Sequence, residues 1–215
     1  MKGRQMLAKS FFIVAALAVS GGIAAAQDPP PASQPHPTCK DCPSYHVPKT
    51  ELDAYLQQAI EHGLMDQEVR TMDVGHTDLG IGIVHRNKTD PKEKPEIAEH
   101  ELITEVFYVI DGGGTIKTGP QLVDPKVRPS TMTTVKQQNG PGYNAEAMIN
   151  PITTVLKPGD VFVVPAGTGH SWVEIPDHVT YLMIRLDPDK ILPLKSAEQS
   201  KAHLAKPYHK GQDNY

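Results

Sequence analysis

From Glu68 onward, every apolar run in this 215-residue chain is short enough to be a single strand, and most are closed by Gly, Pro or Asp. The strand candidates are 69–74, 79–86, 105–110, 115–118, 131–136, 152–156, 160–164, 170–175 and 179–186. They are rich in β-branched and aromatic residues, and turn residues separate them, which is the pattern of an antiparallel sandwich or barrel. One helical stretch precedes them. Leu52, Tyr55, Leu56 and Ile60 recur at helical spacing, Thr50 is placed to cap the start with Asp53 three residues on, and Gly63 stops the run. This helix is expected to pack outside the strands.

Two of the strand stretches carry ligand-type residues. In the first, His100 and Glu105 stand at the entrance of the run Val106-Phe107-Tyr108-Val109-Ile110, which ends in Asp111-Gly112-Gly113-Gly114. In the second, the turn Gly159-Asp160 leads into an apolar run that stops at Pro165, and His170 opens the next strand. Strand alternation puts Glu105 with Phe107 and Val109 on one face, and His170 with Trp172 and Glu174 on another. Two imidazoles and a carboxylate brought together suit a divalent transition metal such as Fe, Mn, Ni, Cu or Zn.

These stretches resemble the two motifs of the cupin superfamily. The second motif has the form Gly, five residues, Pro-x-Gly, two residues, His, and Gly159, Pro165, Gly167 and His170 match it at every spacing. The first matches at His100, Glu105 and Gly112, and departs at Ala98, where the family usually has a metal-binding His. Glu174 stands where the second motif usually carries Asn. The resemblance covers roughly residues 69–187. It implies an all-β, jelly-roll-like antiparallel barrel with the N-terminal helix packed outside. It also implies a metal held by His100, Glu105 and His170, with His85, Glu96 and Glu99 as open alternatives for a fourth ligand. Glu174 is read as a general base, because desolvation in an apolar barrel raises a carboxyl pKa.

The same resemblance implies a small organic molecule in the barrel, bound or turned over by a metal-dependent oxygenase, isomerase or lyase. A non-enzymatic ligand-binding module and a metal-free structural cupin are the alternatives, since one fold hosts all of these. Tyr181, Met183 and Arg185 alternate on the last long strand. Arg185 is read as outward and solvated, whereas an inward Arg185 would favour an anionic substrate.

The address is read from the first 26 residues. Lys2, Arg4 and Lys9 form a basic start, 11–19 an apolar core, and Ala24-Ala25-Ala26 a small-residue cleavage site, the pattern of an export signal. Removing it takes the formal charge from −4 to −7, because the segment carries three basic residues and no acidic one. An acidic chain without a basic stripe excludes nucleic acid as an expected partner. No second run is long enough to span a bilayer, so no stable membrane insertion is expected after cleavage. Residues 27–48 read as a Pro-rich linker, 49–195 as one domain and 196–215 as a polar tail with a short helix over 196–204. Cys39 and Cys42 are expected to form a local disulfide in an oxidising compartment. A small metal loop with His36 and His46 is the alternative, and Pro43 after the second Cys disfavours c-type haem. Open strand edges give a reason to expect a homodimer.

Overall fold

The computed structural model describes residues 38–39 and 41–208. The expected export signal, most of the Pro-rich segment with His36, and residues 209–215 lie outside them. The described residues belong to one compact unit, and the architecture below is that unit's.

Helix α1 (Lys49–His62) ends at Gly63, whose left-handed φ of 68° lets its N–H reach Ala59 O. Thr50 does not cap this helix as expected. It lies in the first turn, and the capping position falls to Pro48, whose extended backbone starts the helix without a side-chain bond. Tyr55 and Ala59 are the buried positions, and Tyr55 packs with Val69 and Ile83 on the outer side of the strands.

The strands follow as β1 (Asp66–Asp73), β2 (Asp78–Asn87), β3 (Ile97–His100), β4 (Thr104–Gly112), β5 (Gly114–Gly119), β6 (Leu122–Val123) and β7 (Lys126–Val127). A π-helical turn (Val135–Asn139) precedes β8 (Gly142–Ala145), β9 (Ala147–Met148), β10 (Ile152–Leu156), β11 (Val161–Val164), β12 (Gly169–Glu174) and β13 (His178–Asp187), and helix α2 (Ala197–Leu204) closes the chain. One sheet has the order β1-β2-β13-β4-β11 and the facing sheet the order β10-β5-β12-β3-β8-β7. Every named pairing is antiparallel.

The pairing is nested. β5 pairs with β10, β4 with β11, β3 with β12 and β2 with β13, as if one long hairpin had been rolled over itself. That is the jelly-roll topology, built from two facing sheets rather than one closed ring. The core between them contains Val84, Phe107, Val109, Trp172, Tyr181 and Met183, and burying side chains of this size stabilises the fold by about 1.5–3 kcal/mol each. β4 alternates as expected, with Glu105, Phe107 and Val109 inward and Tyr108 and Ile110 exposed.

The insertion between β5 and β10 holds the main departures from expectation. Residues 131–136 do not form a strand. Turns there lead into the π-helical segment, which seats Gln138 inside, where its side-chain N–H donates to Asp66 O at 3.2 Å, and Gly140 then turns the chain with φ 65°. β8, which falls between the strand candidates 131–136 and 152–156, pairs with β3 and extends the sheet. In α2, Ser196 and Gln199 form a capping box, and the buried Ser200 hydroxyl bonds Tyr55 Oη and Glu51, fastening the C-terminal helix to α1. No helix among the described residues is long and apolar enough to cross a membrane.

Candidate metal centre

His100 ends β3, Glu105 is the second residue of β4 and His170 the second of β12. His100 therefore sits on its own short strand rather than at the entrance of Glu105's strand. Two backbone links bring the distant motifs together. Gly167 N–H donates to His100 O at 2.8 Å, and Ala166 N–H donates to Thr104 Oγ1 at 3.1 Å. Gly167 has φ 75°, a conformation glycine adopts at least cost. His170 is the register partner of Ala98 across β12 and β3.

One ligating atom from each of His100, Glu105 and His170 lies within 4.8 Å of the other two. Glu105 Oε1 is 3.6 Å from His100 Nε2, and Oε2 is 3.4 Å from His170 Nε2. Two donors each about 2.1 Å from a metal stand about 3.4 Å apart at a tetrahedral angle, so the spacing fits an ion between the carboxylate and the rings. His100 and Glu105 are buried, and His170 nearly so. Burial pushes the His100 pKa well below its usual value, and the charges at His170, Arg128 and Arg185 add to that. Burial lowers His170 too, with Glu105 and the Thr168 carbonyl partly opposing it. Neutral imidazole is the ligand form.

The two rings differ in what holds them. His170 Nδ1 is 3.3 Å from Thr168 O. A proton there donates to the carbonyl and leaves the Nε2 lone pair facing Glu105, the usual second partner of a metal-bound His. His100 Nδ1 instead lies 3.0 Å from Arg128 Nη1. A guanidinium only donates, so Nδ1 accepts and the ring proton of a neutral His100 sits on Nε2. Ligation through His100 Nε2 thus requires Arg128 to release the ring.

Arg185 is inward, which corrects the expectation of a solvated Arg. It stands across from Glu105 in the β13–β4 register. Its Nη1 donates to Glu68 Oε2 at 2.6 Å, its Nη2 to Asp66, and its Nε lies 3.4 Å from Glu105 Oε1. Burial works against the charge, but the three carboxylates more than offset it, and the Arg185 pKa stands above its usual value. Gly80 and Gly82 on β2 leave the room. A Cβ at Gly80 would come within 2.8 Å of Glu68 Oε1, and one at Gly82 within 3.2 Å of Arg185 Nη1.

Glu174 does not share His170's face. Trp172 pairs with Ile116 and Glu174 with Thr115, so a bulge after Trp172 takes up one extra residue and leaves Glu174 exposed. None of the candidates for a fourth ligand joins the group. His85 Nδ1 meets Thr180 Oγ1 at 2.8 Å, Glu96 accepts from Asn144 at 2.7 Å, and Glu99 follows Ala98 on the opposite face of β3 from His100.

An aromatic wall backs the centre. The Phe107 ring is edge-on to His170 at 6.4 Å, Tyr181 lies 4.7 Å from Phe107, and Trp172 stacks on Tyr181 at 5.8 Å. Arg86, which alternates with the core residue Val84, donates its Nε to Tyr181 Oη at 3.2 Å. The sequence reading missed Arg86, Arg128, Asp66 and Glu68. Alternation with Val84 was a signal for Arg86, and nothing local marked the others.

No family model and no curated protein matches the sequence. Among solved structures, the chain is similar to BH2720 from Bacillus halodurans at 13% identity and a TM-score of 0.37, over 68% of this chain and 83% of that one. It is also similar to a putative sugar phosphate isomerase from Acidithiobacillus ferrooxidans at 16% identity and a TM-score of 0.29, over 50% of this chain and 49% of the isomerase. Similarity to Fe(II)-HppE with an alternative substrate is 14% identity and a TM-score of 0.31, over 51% of this chain and 42% of HppE. The chain thus spans about half or less of the isomerase and of HppE. Its own nested strand pairing is the jelly-roll topology that cupins share, and residues of both cupin-like motifs converge within it.

Proposed function

We propose that this is an exported metalloprotein of cupin fold in which His100, Glu105 and His170 hold one divalent transition metal, Fe, Mn, Ni, Cu or Zn. A small organic molecule is acted on at the positions this set leaves open. The observation that carries the reading is the convergence of the three ligand atoms within 4.8 Å at a buried spot. Two His and one carboxylate is the donor set of open non-haem iron sites. When bound, such a metal polarises a carbonyl or enolate oxygen or supports dioxygen chemistry, which points to an oxygenase, isomerase or lyase. The chain's own part is to hold and shield. Arg185 fixes Glu105, Thr168 orients His170, and Phe107, Tyr181 and Trp172 keep water from the reacting centre.

A non-enzymatic ligand-binding module is the second reading. The exposed position of Glu174 favours it, because that removes the expected general base from the site. Export is supported by the basic, apolar and small-residue pattern of residues 1–26, and the Cys39–Cys42 disulfide fits an oxidising compartment. A homodimer is supported by the edge strand β11, where Val161 and Val163 are 63% and 51% exposed beside Tyr108.

Elemental analysis tests the metal. Protein purified without chelators or a His-rich tag, beside a His100→Ala/His170→Ala variant, is expected to carry near-stoichiometric metal that the variant lacks. Metal in neither protein overturns the reading, as does turnover that survives metal stripping; saturable ligand binding without product leaves the ligand-binding role. Light scattering at micromolar concentration is expected to give a dimeric mass.

A further inference from the structure

Three guanidiniums adjoin the core around this group, and among the described residues only Arg185 of the three has carboxylates in ion-pair contact. Arg185 is caged by Asp66, Glu68 and Glu105. Among the described residues, neither Arg86 nor Arg128 has a carboxylate in ion-pair contact. Arg128 is 8% exposed; its Nη1 meets His100 Nδ1, its Nη2 donates to Thr134 Oγ1 at 3.3 Å, and its Nε is buried without a partner. Arg86 spends its Nε on Tyr181 Oη. Arg128 thus meets the ligand set at His100, and Arg86 meets the aromatic wall at Tyr181, whose ring lies 4.7 Å from Phe107. Trp172 Nε1, one ring further along the same wall, is another buried donor without an acceptor.

We infer that Arg86 and Arg128 bind the anionic group, carboxylate or phosphate, of the small molecule that reaches the metal's open positions. A buried cation is retained against desolvation when a counter-ion meets it, and a planar fork of donors matches either oxyanion. Among the described residues, none provides that counter-ion. Glu96, Glu99 and Glu105 act on Arg128 only at longer range, as Asp66 and Glu105 do on Arg86. Glu105 already faces both imidazoles and Arg185, and Glu99 lies across β3. In turning to an anion, Arg128 also leaves His100 Nδ1.

The inference rests on the metal reading, and the test separates the two. The full chain loaded with Co(II), whose visible absorption reports coordination, is titrated with malonate, with inorganic phosphate and with neutral malonamide. One of the two anions is expected to bind at least about 10-fold more tightly than malonamide. Arg86→Met and Arg128→Met are each expected to weaken it about 10-fold or more, the size of one charge-assisted hydrogen bond. Co(II) affinity is retained in Arg86→Met and is not weakened in Arg128→Met, and Arg128→Lys recovers part of the anion binding. A stronger response to malonate assigns a carboxylate ligand, and one to phosphate a phosphate ester. Co(II) bound with malonamide equal to both anions, or with the anions indifferent to both Met variants, overturns the inference and leaves the metal reading intact. No Co(II) absorption in the unaltered protein overturns the metal reading, and calorimetric titration of the same probes on the metal-free chain then decides for or against the arginines. If circular dichroism shows a Met variant unfolded, the malonamide comparison and the Lys variants decide.

Discussion

Arg185 and Arg128 are both buried, and each touches one member of the same His-Glu-His group, yet they differ in what surrounds them. Arg185 enters from the central strand β13 into a cage of three carboxylates, and the two strand glycines opposite leave space for it. Arg128 enters from the insertion after β7 and meets a ring nitrogen and a hydroxyl. Burial of a cation does not by itself tell a structural residue from a ligand-binding one, and the location of its counter-ion does. Where the chain supplies the counter-ion, the pair belongs to the fold.

The largest effect that can break this comparison is Arg185→Met. Removing one partner of a buried ionic cluster leaves like charges together out of water and is expected to cost about 3–5 kcal/mol in urea unfolding. The loss should shrink as pH falls toward 5, because burial already raises the Glu68 pKa with Arg185 opposing, and without the guanidinium Glu68 takes up a proton in the folded state. A cost no larger than that of Arg128→Met would erase the distinction.

The next effect is the pH dependence of the metal-free protein. His100 and His170 are depressed by burial, and His203 is held down to about 4, by burial first and then by Lys195 and Lys206. A depressed imidazole binds its proton more readily in the unfolded chain. The stability it contributes is therefore present above the unfolded value near 6.5 and is lost as pH falls toward the folded value. Below 6.5 each of the two site histidines should cost up to about 1.4 kcal/mol per pH unit. Glu68 runs the other way. Burial raises its pKa with Arg185 opposing, so its contribution declines as pH rises through the carboxyl range. Urea midpoints at pH 7.5 and 5.5 are expected to fall with acid, and bound metal should steepen that fall, because acid also displaces it from the imidazoles.

Arg128→Met is expected to change stability by no more than about 1 kcal/mol, since a charge without a carboxylate partner is removed along with its hydrogen bonds. It should tighten metal binding, because His100 is then free to carry its proton on Nδ1. Weaker metal binding in this variant would mean that Arg128 supports the ring instead of competing for it. The smallest effect is at Glu174→Gln. An exposed side chain past the bulge should leave stability within about 0.5 kcal/mol and metal content unchanged.

Much of the fold was legible because β-strands advertise themselves by alternation. The runs that became β4, β10, β11, β12 and β13 are bounded by turn residues and carry one buried face. β3 was not legible, since Ile97-Ala98-Glu99-His100 is four residues of mixed polarity whose strand character comes from its neighbours β8 and β12. Residues 131–136 misled in the opposite sense. Thr131, Thr133, Thr134 and Val135 have strand-type side chains, but the chain there has to deliver Gln138 into the interior and turns instead. At the site, the three converging residues were readable from motif spacing, while the position of Glu174 was not, because a single-residue bulge reverses every face beyond it. The arginines stayed hidden for a more general reason. A guanidinium's depth depends on partners far away in sequence, such as Glu68 for Arg185, 117 residues apart.

The register between β12 and β3 has a consequence for how replaceable the vacant ligand position is. Ala98 stands directly across from His170 and shares a strand face with His100, so the backbone position for a third imidazole, and with it a fourth ligand, is already in place and only the side chain is lacking. The difference between a site with room for a ligand and one filled by the protein is then a single side chain, open to reversal by Ala98→His in one step of mutation. Seen this way, and on the metal reading, the openness of this centre is held by one methyl group.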